Sequence, residues 1–100
     1  MNEKKNEKNE RQAVHIIVHG RVQGVGFRYF TKTNGQRLGL AGWVRNLSDG
    51  TVEIWAEGRR KTLDQFIQDV QRGPSHAHVS HLNVDWKEPK NETSTFRIRY

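Results

Sequence analysis

The chain has no cysteine and only two prolines among its 100 residues. Without thiols there is no disulfide framework, no thiolate metal site and no cysteine nucleophile. That fits a reducing compartment, and a cytoplasmic location is expected. Long apolar runs are missing as well. No stretch approaches the length of a transmembrane helix or the core of a signal peptide, so no membrane partner is expected. Hydrophobic residues make up 33% of the chain and the mean hydropathy is -0.92, enough for one domain with a modest core. Acidic residues are also scarce, 11 against 17 Lys and Arg, giving a formal net charge of +6. Four basic and three acidic residues fall within Met1 to Gln12, so that segment contributes +1 and the remainder +5. A basic domain attracts anions, whether nucleic acid, acidic membrane or small phosphorylated metabolites.

What is present divides into a tail and a domain. Residues 1–11 are Asn, Glu, Lys and Arg after the initial Met. They have no apolar face and are expected to be disordered. Residues 12–100 form the domain. Val14, Ile16 and Val18 alternate with Ala13, His15, Ile17 and His19, which predicts a strand with the first set facing the core. Phe27, Phe30, Thr31, Asn34 and Leu38 fall at helical spacing, although Thr33-Asn34-Gly35 is a poor helix former. Leu40 to Leu47 and Thr51 to Glu57 read as two strands joined by the turn signal Ser48-Asp49-Gly50. Leu63, Phe66, Ile67 and Val70 make one apolar helical stripe, and Gly73-Pro74 ends it. Val79, Leu82, Val84 and Trp86 suggest a fourth strand, with a slip in alternation around Ser80-His81. Thr95 to Tyr100 is a short last strand. The order predicts an α+β fold. It is the ferredoxin-like βαββαβ sandwich, with two helices on one face of an antiparallel sheet and a short extra C-terminal strand.

One segment carries chemistry. Gly20-Arg21-Val22-Gln23-Gly24-Val25-Gly26-Phe27-Arg28 joins the first strand to the first helix. It is not a Walker loop, which needs Gly-Lys followed by Ser or Thr. It is not a dinucleotide fingerprint either, because the third glycine position falls on Tyr29. It does offer backbone N–H groups at a helix N-terminus, where the helix dipole adds positive charge. Arg28 adds a planar fork able to grip two phosphate oxygens. Residues alone leave a second reading equally open, in which the glycines only make a tight turn and Arg28 lies on the surface. Asn46, at a strand end before the Ser48-Asp49-Gly50 turn, is by itself an ordinary strand-end residue. His76, His78 and His81 have loose metal-like spacing, but no cysteine or second cluster completes a site; no metal and no cofactor are expected. Trp43, Trp55 and Trp86 are expected to pack.

The run Gly20 to Arg28 closely resembles the first signature of the acylphosphatases. Gly42-Trp43-Val44-Arg45-Asn46, followed by Asp49-Gly50-Thr51-Val52-Glu53 and Ala56-Glu57-Gly58, resembles the second. The similarity extends from about Val14 to Tyr100. It implies a metal-free ferredoxin-like enzyme that hydrolyses the carboxyl–phosphate anhydride of small acyl phosphates to a carboxylate and inorganic phosphate. It implies that Arg28 binds the phosphate and that Asn46 orients the attacking water. The backbone of Arg21, Val22, Gln23, Gly24, Val25, Gly26 and Phe27 would form the phosphate cradle. A monomer is expected, with no nucleic-acid partner. In some acylphosphatases the terminal carboxylate lies near the active arginine, which draws attention to Tyr100.

Two rival readings remain. Gly24 to Phe30 echoes an RNA-recognition signature, but that signature belongs on the third strand, where it stacks bases; here it precedes the first helix. The other is the acylphosphatase-like domain that opens hydrogenase-maturation carbamoyltransferases, where it serves a larger machine. Adjacency of the first and third elements at the sheet centre would let the loop after the first strand meet a residue late in the second.

Overall fold

The computed structural model describes residues 10–100; the predicted disorder of residues 1–9 lies outside them. Strand β1 (Arg11–Arg21) leads through a bend into helix α1 (Phe27–Arg37). Strands β2 (Ala41–Asn46) and β3 (Val52–Arg59) follow, then helix α2 (Arg60–Arg72), strand β4 (His78–Lys87) and strand β5 (Phe96–Ile98). Arg11, grouped with the tail by composition, is the first residue of β1 and pairs with Arg59. The sheet order is β4-β1-β3-β2-β5. The four long strands pair antiparallel, and β5 adds to β2 in parallel, which makes the sheet mixed. Among the described residues no helix is long and apolar enough to cross a membrane.

The alternation in β1 sorts its side chains as its pattern predicts. Val14, Ile16 and Val18 are fully buried, together with Ile54 of β3 and Val44 of β2. Phe27 of α1 and Leu63, Phe66 and Val70 of α2 join the same cluster, so both helices cover one face of the sheet. The slip around Ser80 is a bulge. His19 pairs with His81 and Gly20 with Val79, leaving Ser80 as the extra residue. A Cβ on Gly20 would lie 2.1 Å from the His78 carbonyl oxygen, so only glycine passes this kink on the way to the loop.

Helix α1 is weak by propensity, and the structure gives the reason for its worst residue. Gly35 is buried, and a Cβ there would lie 2.5 Å from the Phe96 ring of β5. The helix therefore accepts glycine so that the sheet's last strand can pack beneath it. A Schellman end closes the helix: Leu40 N–H donates to Gly35 O (2.9 Å) and Gly39 N–H to Gln36 O (3.1 Å). In an open helix, Gly→Ala gains about 0.5–1 kcal/mol. Forcing a methyl against Phe96 costs about 1–3 kcal/mol, and packing wins. Gly35→Ala is therefore expected to lower the urea midpoint, by the equivalent of about 1–2 kcal/mol; a raised midpoint would refute this account of α1.

Two carboxylates stitch the open face of the sheet. Glu53 accepts from Arg45 Nε (2.6 Å) and lies 2.7 Å from His15 Nε2. Glu57, 3% exposed, accepts from Trp55 Nε1 (2.6 Å), the Lys90 and Asn91 backbone N–H groups (2.9 and 3.1 Å) and Arg11 Nη2 (3.3 Å). Burial pushes each carboxyl up, but these hydrogen bonds and cations outweigh it and hold both below the ordinary value of 4.5. A depressed folded-state pKa stabilises fully above the unfolded value, and the gain drains away as pH falls through the folded one. The thermal midpoint should thus hold steady above about pH 5 and drop steeply below about pH 4.5. Glu57→Gln should start lower and show a shallower acid limb in melts recorded across that range.

Candidate active site

The bend between β1 and α1 is built by alternating anchors and glycines. Val22 and Phe27 are 1% exposed and belong to the core, and Val25 packs against it. Gly24 (φ 74°) and Gly26 (φ 78°) adopt the left-handed conformation between them. Val22 and Phe27 anchor the loop in the core, and the glycines between them put no side chain into the space that they line. Gly26 caps α1 with no side-chain hydrogen bond, and its carbonyl accepts the Phe30 N–H at 3.0 Å. No acidic residue stands in the first turn, so the positive end of the helix dipole is not neutralised there.

The loop is clamped to the β2–β3 hairpin by one side chain. Gln23 Nε2 donates to Leu47 O (2.7 Å) and to Thr51 O (2.8 Å). Leu47 directly follows Asn46, so this clamp brings the end of β2 to the glycine loop. β1 and β3 are neighbours at the sheet centre, and the loop after β1 spans the start of β3 to reach the end of β2. Across the hairpin turn, hydrogen bonds from the Thr51 hydroxyl and backbone to the Asp49 carboxylate hold its pKa below the usual range.

The result is a pocket of about 290 Å³ lined by Val22, Gly24, Gly26, Phe27, Arg28 and Asn46, with Tyr29, Ile98 and Tyr100 completing the wall. Arg28 makes no hydrogen bond or ion pair among the described residues; its guanidinium lies 5.1 Å from the centre of the Tyr100 ring. Asn46 Oδ1 is buried and has no hydrogen-bond partner among the described residues. A buried carbonyl oxygen left so costs about 1–3 kcal/mol, which a site tolerates when the group serves a ligand. Larger hollows occur elsewhere, one of about 500 Å³ around Trp86 and Pro89. None combines a free guanidinium, left-handed glycines and an unpartnered amide, so chemistry rather than size selects the pocket.

Six of the nine residues singled out in the sequence line this pocket, and three do not. Arg21 turns its side chain away to the His76 carbonyl (3.1 Å). Gln23 holds the loop from behind, and Val25 packs on the core. Tyr29, Ile98 and the Tyr100 ring were not anticipated as lining. The alternation of Ile98 and Tyr100 against Arg97 and Arg99 was the available signal. It is the Tyr100 ring that approaches Arg28, with no ion pair between its carboxylate and that arginine; the residue is 98% exposed. His81 stacks on His19 at 4.1 Å, and the described residues contain no group of three His, Asp or Glu able to share a metal.

Fold and pocket together define an α+β sandwich carrying an anion cradle at the start of its first helix. Residues 14–98 match the acylphosphatase family model. An acylphosphatase of Geobacillus thermodenitrificans is 41% identical over 87% of this chain and 93% of its own length. One from Acaryochloris marina is 49% identical, over 82% of this chain and 87% of the relative. The crystal structure of acylphosphatase from Bacillus subtilis superposes with a TM-score of 0.86 at 42% identity, covering 89% of this chain and 99% of that one. Full-length HypF in a phosphate- and nucleotide-bound form also superposes. Its TM-score is 0.80 at 32% identity, over 91% of this chain and 12% of that much longer one. The chain belongs to the acylphosphatase family. It is a hydrolase acting on small acyl phosphates.

Proposed function

We propose that this chain hydrolyses acyl phosphates as a metal-free monomer, with Arg28 and the backbone from Arg21 to Phe27 holding the phosphate and Asn46 directing the water. The observation that carries this reading is the meeting, in one pocket, of Arg28 and a buried Asn46 Oδ1, neither with a hydrogen-bond partner among the described residues. A carboxylate is a good leaving group, so the reaction needs little general acid help. Phosphoryl transfer then depends mainly on positioning and charge neutralisation. The guanidinium fork and the loop N–H groups supply that charge complement with no reorganisation during reaction. Asn46 Oδ1 accepts a hydrogen bond from water and fixes its line of approach. Asparagine cannot remove a proton near neutral pH, and no carboxylate or imidazole side chain lines the pocket. The water proton therefore passes to a substrate phosphate oxygen as the new O–P bond forms and the anhydride O–P bond breaks. The same lining, without an imidazole, thiolate or carboxylate side chain, supports a reaction that needs no metal.

Benzoyl phosphate hydrolysed in ¹⁸O-water, with EDTA present, tests this directly. Undiminished turnover with the label in inorganic phosphate is expected. Label in benzoate would mean attack at the carbonyl carbon, and loss of turnover on chelation would mean a required cation.

A further inference from the structure

The segment from β5 to Tyr100 serves two faces at once. Ile98 and Tyr100 face the Arg28 pocket, while Arg97 and Arg99 line a separate cleft of about 260 Å³ with Trp43, Trp55 and Lys90. The two hollows share no lining residue.

The charges in this second cleft are unbalanced. The side chains of Lys90, Arg97 and Arg99 make no ion pair or hydrogen bond among the described residues. Their neighbours on the same face are engaged: Arg45 holds Glu53 and Arg11 holds Glu57. Glu57, the buried acid of the cleft, already accepts four hydrogen bonds and has little left to offer these cations. Glu92 on the rim is the only other carboxylate lining it, so the cleft stays net positive. Two of the cations are also pre-positioned. Arg99 lies 4.6 Å from the Trp43 ring centre and Lys90 4.7 Å from that of Trp55. Stacking on an indole face fixes a guanidinium plane and leaves its N–H edges free to fork onto an oxyanion. Glu57 grips the Lys90 and Asn91 backbone, which fixes the loop that carries Lys90.

We propose that this cleft binds a small polyphosphate anion, at a site separate from the one that holds the acyl phosphate. Lys90, Arg97 and Arg99 against Glu57 and Glu92 leave the cleft at +1, with three cations whose side chains have no ion pair among the described residues, and arginine forks match the oxygens of successive phosphates. The phosphate chain could be inorganic or belong to a nucleotide.

Equilibrium dialysis of tripolyphosphate against Arg28→Ala protein removes the catalytic pocket from the reading. One bound tripolyphosphate per chain is expected. Adding Arg97→Gln and Arg99→Gln should weaken it at least about tenfold, and adding Lys90→Gln alone should weaken it less, in the same direction. Both arginine side chains are exposed, so circular dichroism should find these variants folded. Absence of binding by Arg28→Ala protein, or binding that the added substitutions leave unchanged, overturns the proposal. A parallel dialysis with ATP separates the sources. Equal affinity identifies the phosphate chain alone as the ligand, and tighter binding of ATP identifies a nucleotide.

Discussion

Arg28→Ala is expected to lower kcat/KM for benzoyl phosphate by about 10³-fold or more and to leave the thermal midpoint almost unmoved. The two halves have separate causes. In the reaction, Arg28 is the charged side chain of the pocket and the partner for phosphate oxygens whose charge is redistributed in the transition state. In the fold, it makes no ion pair or hydrogen bond among the described residues, and its contact with the exposed Tyr100 ring is worth about 0.5–1 kcal/mol at most. Arg28→Lys keeps the charge and loses the fork, so it should recover only part of the rate. Inorganic phosphate should inhibit the native protein competitively and the alanine variant hardly at all. Steady-state rates beside circular-dichroism melts decide the matter. Near-native turnover in a folded alanine variant would remove Arg28 from the mechanism.

Asn46→Ala should separate kcat from KM. The amide is assigned to the water, while Arg28 and the loop are assigned to the phosphate. Losing it should cut kcat by about 10²–10³-fold with little change in KM. Stability should hold or rise slightly, because the substitution deletes a buried oxygen that has no partner among the described residues. A fall in substrate affinity with kcat intact would mean that Asn46 holds the phosphate instead.

Much of this architecture is legible in the sequence because its signals are local. The two-residue period of Val14, Ile16 and Val18 and the stripe Leu63, Phe66, Ile67 and Val70 each depend on which face a neighbouring sheet or helix covers. Even the bulge shows, as a broken alternation at Ser80. The glycines before Arg28 mark a backbone that only glycine adopts readily. What stays hidden depends on distant partners. Gly35 looks like a flaw in a helix until Phe96, far along the chain, is found packed against it. Gln23 reads as one more loop residue, yet its side chain ties the loop to carbonyls on both sides of the hairpin turn. Tyr100 joins the pocket only because β5 runs parallel to β2, and three residues carry too little pattern to reveal a pairing direction.

The strand order also governs how quickly this sheet can form. Of its pairings, only β2 with β3 joins neighbours in sequence; β1, beside the centre, waits for β3 on one edge and for the distant β4 on the other. Each of those closures orders a long intervening stretch of chain before any cross-strand contact compensates the lost entropy. Such high contact order places folding in the slower range for domains of this size. Until β4 docks, an apolar strand edge on β1 stands unpaired, and that interval is when two nascent copies are most exposed to pairing with each other.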